Sequence, residues 1–140
     1  MLIDNPLNES SAAFPVLECL HLLGIVCGVG TAALVNLRLL GVGMVKSSPA
    51  RLWSETMFVT LGGLALAICS GLLLFSIDPE MYFTNQAFRF KMVSLLIALV
   101  FYYTAVRRAA AHDGKASIVA SVSLGLYALV PLGGIFIGYL

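Results

Sequence analysis

Charged residues divide this chain into four apolar stretches, and each is long enough to cross a lipid bilayer. A spanning helix needs about 20 predominantly apolar residues. The first stretch covers about residues 14–37 and holds only Glu18 and His21 as ionisable groups. The second, about 57–77, carries no charge. The third, about 88–106, has Arg89 and Lys91 in its first turn and stops at Arg107-Arg108. The fourth, 116–140, is again free of charge. Backbone groups in hydrocarbon must be satisfied within their own segment, so helices are expected for all four. The expected fold is all-α: one polytopic domain over residues 1–140, a four-helix transmembrane bundle. Composition excludes the soluble alternative. Hydrophobic residues make up 60% of the chain and charged residues 11%, against roughly 25% charged in an ordinary soluble domain. One soluble core of this length could not hide that much apolar surface. The net charge of +1 gives no basis for nucleic-acid binding.

Basic residues set the expected orientation. Arg38, Lys46 and Arg51 follow the first stretch, and Arg107, Arg108 and Lys115 follow the third. The opposite side has only Arg89 and Lys91, beside Asp78 and Glu80. Positive loops stay in the cytoplasm, so both termini and the 78–87 loop are expected outside, in a bacterial cytoplasmic (inner) membrane. Residues 1–13 read as a short exposed tail. No basic residue precedes the first apolar run, which argues against a signal peptide. Pro15, Ser48-Pro49, Asp78-Pro79 and His112-Asp113-Gly114 mark helix boundaries. Pro131 is expected to kink the last helix. Trp53, Tyr82, Tyr102, Tyr103, Tyr127 and Tyr139 fall mostly near span ends, as an aromatic belt would. Cys19, Cys27 and Cys69 lie in apolar runs without a metal-binding or haem-attachment spacing.

Ionisable groups within spans are costly and need a reason. Glu18 and His21 stand three residues apart and share a helix face. Gly24, Gly28, Ala32 and Asn36 continue that face, so it is expected to look into the bundle. Lys91 shares a face with Ser94, Ala98 and Tyr102 and lies at a depth similar to His21. A Glu18–Lys91 pair, direct or through one water, is therefore expected. Gly24 and Gly28 leave a small-residue stripe that suits helix packing, dimer contact or a flat cofactor. Arg38 reads as a rim anchor, and His112 as a solvated loop residue. A di-metal centre would need two Glu-x-x-His motifs and further carboxylates, which the second and fourth stretches do not supply.

The run Phe14-Pro15-x-x-Glu18-x-x-His21-x-x-Gly24, then Leu37-Arg38-Leu39-Leu40-Gly41, Ser70-Gly71-Leu72-Leu73-Leu74-Phe75 and Asn85-x-x-Phe88-Arg89-x-Lys91, resembles an uncharacterised family of small bacterial four-helix membrane proteins. The resemblance covers most of the chain and implies topology more than activity. A looser resemblance links it to HemJ-type protoporphyrinogen oxidases and CopD-like copper-resistance proteins. HemJ proteins pair a first-helix histidine with a later lysine and are haem-associated. Here that similarity implies His21 and Lys91. Phe88-Arg89-Phe90 stands where a tryptophan-and-histidine setting precedes the HemJ lysine.

Two functions follow as expectations. In the first, the chain is a b-type haem-binding redox protein: His21 is the axial ligand, and Glu18, Arg89 and Lys91 orient it or meet the propionates. In the second, it is a non-catalytic accessory subunit of a larger membrane complex, or a small homo-oligomer, surrounded by the lipid bilayer.

Overall fold

In the computed structural model, which describes residues 5–112 and 116–139, four long helices form the expected bundle. They are α1 (Ala13–Leu39), α2 (Pro49–Ile77), α4 (Gln86–Ala111) and α5 (Ala116–Phe136), each long and apolar enough to cross a membrane. A short helix, α3 (Pro79–Thr84), joins α2 to α4. The expectations that concern Asp113, Gly114, Lys115 and Leu140 fall outside the described residues.

Helix α2 starts eight residues before the second apolar stretch does. Ser48 caps it by accepting from the Arg51 amide, and Pro49 occupies its first turn, where a missing N–H costs nothing. Helix α1 ends in a Schellman turn. The Val42 amide bonds the Leu37 carbonyl, the Gly41 amide bonds Arg38, and Gly41 supplies the left-handed φ of 79° that the turn requires. Asp78 caps α3, and Asn85 caps α4.

The helices pack around a square. Helix α1 lies against α2 and α5, and α4 lies against α5. Helix α4 meets α2 through aromatic side chains: Phe75 against Phe88, and Trp53 against Tyr102. Helices α1 and α4 therefore face each other across the diagonal. One end of the bundle gathers the described terminal residues and α3. There Asn5 donates to the Ser76 carbonyl across 2.9 Å, and Asn85 to that of Ile137. The N-terminal residues from Asn5 onward are mostly exposed, as expected, but they are tied down: Asn5 and Leu7 are half-buried, and Pro6–Glu9 form a 3-10 turn across the end of α2. The other, basic end carries Arg38, Lys46, Arg51, Arg107 and Arg108.

The α1–α2 seam is the closest contact in the fold. A Cβ built on Gly24 would stand 2.5 Å from the Ala67 nitrogen and 2.8 Å from the Gly63 carbonyl oxygen. Only hydrogen fits there, and the two backbones touch. The expected small-residue stripe is real, but α2 fills it. That corrects the reading in which Gly24 and Gly28 leave room for a flat macrocycle.

Within α4, residues Tyr102–Val106 form a π turn. Ala98, Tyr102, Val106 and Ala110 are all buried, at a spacing of four. In a regular α-helix each such step drifts by roughly 40°. The wider turn takes up that drift and keeps the row facing inward. It also places Tyr102 in the core at 2% exposure, and Tyr127 reaches the same depth from α5. These two tyrosines belong to the interior and not to the expected aromatic belt.

Candidate functional site

His21 projects from α1 onto α2. Its Nδ1 stands 2.7 Å from the Ala67 carbonyl oxygen and 3.3 Å from Ser70 Oγ. A carbonyl can only accept, so Nδ1 carries the proton in this bond. Ser70 Oγ itself donates to the Leu66 carbonyl at 2.6 Å, which leaves its lone pairs toward the ring. The ring lies against Gly71, where an added Cβ would stand 3.0 Å from Cε1. Gly71 is therefore the residue that makes space for the imidazole. In the neutral ring Nε2 is the lone-pair nitrogen, and it has no hydrogen-bond partner among the described residues.

Lys91 approaches from the diagonal helix. Its stem crosses the glycine pair of α5: an added Cβ would stand 3.0 Å from Lys91 Cβ at Gly133, and 3.5 Å from Lys91 Nζ at Gly134. Two glycines in succession let α4 and α5 close over a long side chain. The residue is half-buried, and its ammonium is near enough to His21 for the charge to act on the ring. Its Nζ makes no hydrogen bond to a described residue.

The other two expected site residues stand further out, although the Glu18 charge also reaches the His21 ring. Glu18 is exposed on α1. Among the described residues the one ion pair within 4.0 Å is Arg51–Glu55, so the direct Glu18–Lys91 bridge does not form. The reason is directional. Lys91 is committed to the α5 glycines, whereas Glu18 lies toward α3, where its carboxylate acts on Tyr82. Burial first, then the Glu18 and Asp78 charges, push the Tyr82 phenol above its ordinary value. Arg89 is exposed and donates to the Thr84 carbonyl at 3.3 Å.

Sequence reasoning missed a second polar group, in the basic half. Asn36 is fully buried and donates to the Ala32 carbonyl and to Ser123 Oγ, both at 3.0 Å. Thr31 and Thr60 share a hydroxyl–hydroxyl bond of 2.7 Å across the α1–α2 seam. Asn36 Oδ1 and the Tyr127 hydroxyl are buried without a partner among the described residues. The available signal was Asn36 itself, an amide on the inward stripe. Its partner Ser123 was one of several serines in α5.

No cluster of three or more His, Cys, Asp or Glu side chains suited to a metal ion occurs among the described residues. What the site offers is one imidazole whose Nε2 has no hydrogen-bond partner among the described residues, an ammonium and a carboxylate whose charges reach it, and a guanidinium at the rim. No family model, curated protein or solved structure matches the chain.

Proposed function

We propose that this chain is a small multi-pass protein of the bacterial cytoplasmic membrane, both termini outside, whose working centre is His21 acting as a ligand through Nε2. The Nδ1 bond to the Ala67 carbonyl carries this reading. A histidine that serves a metal commonly donates its other ring N–H to a carbonyl or carboxylate, which fixes the tautomer and the ring plane. An intramembrane histidine held in that way, with its second nitrogen left open, is arranged as a ligand is.

The cofactor class that best suits one imidazole and neighbouring cations is haem b. The donor set fits it in part. His21 would hold the iron through Nε2, and Lys91 and Arg89 would meet the propionate charges. The Gly24–Gly28 stripe offers no platform, because α2 occupies it. Bound haem supplies one-electron redox chemistry; the contribution of this chain is to orient His21 and place cations beside it.

The second reading is a non-catalytic accessory subunit or homo-oligomer, and a specific observation favours it. The His21–Ala67 bond crosses the tightest seam in the bundle, where it would clamp α1 to α2 without any cofactor. Purification of the full chain from cells supplied with ample haem separates the two. A Soret band that disappears in His21→Ala supports the ligand reading. A colourless wild type, or a band that the variant keeps, supports the accessory reading.

A further inference from the structure

The basic end of the bundle holds a second polar site, built around Arg38. An open cavity of about 270 Å³ lies where α1, α2, α4 and α5 meet, lined by Arg38, Gly41, Pro49, Ala109, His112 and Ala116. Its size falls just below the roughly 300–1,000 Å³ of pockets that take drug-sized molecules, so it suits a headgroup-sized guest.

The charge around it has one sign. Arg38, Lys46, Arg51, Arg107 and Arg108 all lie at this end. The acid described there, Glu55, is committed to Arg51 at 2.6 Å. Asp113 and Lys115, outside the described residues, offset each other formally. Arg38 itself is held in place. Its Nε donates to the Ser47 carbonyl at 2.6 Å, across the loop that Gly41 turns. Fixing Nε leaves both Nη groups as donors, and neither has a partner among the described residues. His112 closes the other side, with Nδ1 3.2 Å from the Arg108 carbonyl oxygen.

We propose that this pocket binds a phosphate group, held by the Arg38 guanidinium, with His112 as second contact in its imidazolium form, in which Nε2 also carries a proton to donate. A guanidinium fork matches phosphate oxygens in two parallel bonds. Basic pockets between spanning helices on the cytoplasmic side are where anionic lipid headgroups bind. The phosphate comes from an anionic phospholipid or from a soluble phosphate, and both present the same chemistry to Arg38.

The test is native mass spectrometry of the full chain released from nanodiscs of phosphatidylglycerol mixed with phosphatidylcholine. Wild type should retain phosphatidylglycerol about tenfold over phosphatidylcholine. Arg38→Gln should lose most of that preference, and His112→Ala, at an exposed position, about threefold. Arg107→Gln removes the same charge outside the pocket and should stay within about twofold of wild type. If Arg38→Gln does not fold, Arg38→Lys, which keeps the charge without the fork, replaces it and should still lose preference. Displacement of the lipid by millimolar inorganic phosphate assigns the site to a soluble phosphate, and retention assigns it to the lipid. Equal retention of the two lipids, or equal losses in Arg38→Gln (or its Lys replacement) and Arg107→Gln, overturns the proposal.

Discussion

In the basic half of the bundle the interior polar side chains are uncharged and sealed. Asn36, Thr60, Ser123, Tyr102 and Tyr127 are each at most 2% exposed. In the half that carries the termini, Ser70, Asn85 and Ser94 are buried as well, and beside them stand two more inward polar groups, His21 and Lys91. Both are ionisable, both are half-buried, and each keeps a nitrogen without a partner among the described residues. Neutral polar groups cost about a hydrogen bond each to bury and can fasten helices together. A charged group within a span costs roughly 2.5–3.5 kcal/mol at the helix centre and less toward the rim. The contrast teaches that the sealed half is fastened by neutral groups alone, whereas the half that carries the termini combines the tight Gly24–Ala67 contact with two ionisable side chains, where the proposed ligand centre lies.

The largest expected effect breaks both halves at once. Gly63→Val drives a side chain into the α1 backbone and should destabilise the bundle by about 3 kcal/mol, the upper part of the usual overpacking range. Gly62, one residue away, faces open space, and Gly62→Val should unfold in denaturing detergent close to wild type. Equal losses in the two variants would mean that the seam is not where the helices touch.

A sharper probe addresses the sealed half. The Tyr127 hydroxyl is buried without a partner among the described residues. Tyr127→Phe should therefore raise stability by about 1 kcal/mol, since a buried unsatisfied group is removed at almost constant shape. A loss of that size would show instead that the hydroxyl is bonded in the membrane. Smaller again is the Asn36–Ser123 coupling. A double-mutant cycle with Asn36→Ala and Ser123→Ala should give about 0.6 kcal/mol, the average for interhelical hydrogen bonds in a membrane bundle. Zero coupling would remove this bond from the description of the sealed half.

The smallest effect concerns Glu18, which the structure sets beside Tyr82 and apart from Lys91. Glu18→Gln should lower the ultraviolet titration midpoint of Tyr82, read as the difference from Tyr82→Phe, but leave it above the ordinary value because burial is the larger cause. The linkage sign follows. A phenol raised in the folded state stabilises the fold below its unfolded value, near about 10, and that contribution is lost as pH rises through the folded value. An unchanged midpoint in Glu18→Gln would return Glu18 to the neighbourhood of Lys91.

Much of the fold was legible because its causes are local. Apolar run length marked the four helices, and the Gly24–Gly28–Ala32–Asn36 spacing marked the inward face of α1. The unread parts depend on partners distant in sequence. Nothing around Lys91 announces that its stem will lie on Gly133 and Gly134, yet that contact turns it away from Glu18. The burial of Tyr102 depends on a π turn, which follows from keeping a row at spacing four against neighbouring helices. The stripe on α1 was visible, but whether it was vacant or filled depended on Gly63 and Ala67 of α2. His21 could be picked out as the one histidine within a span. Which nitrogen it keeps free could not, because that is set by a carbonyl 46 residues away.

That nitrogen is the most direct test. Nitrogen-15 NMR of the imidazole in a His112→Ala background isolates His21 in the folded, membrane-reconstituted chain. The expected spectrum near neutral pH shows a protonated Nδ1 and an unprotonated Nε2, and the Nδ1 signal should report a short hydrogen bond to a carbonyl. A proton on Nε2 with Nδ1 bare would contradict the reading of His21 as a ligand that presents its far nitrogen.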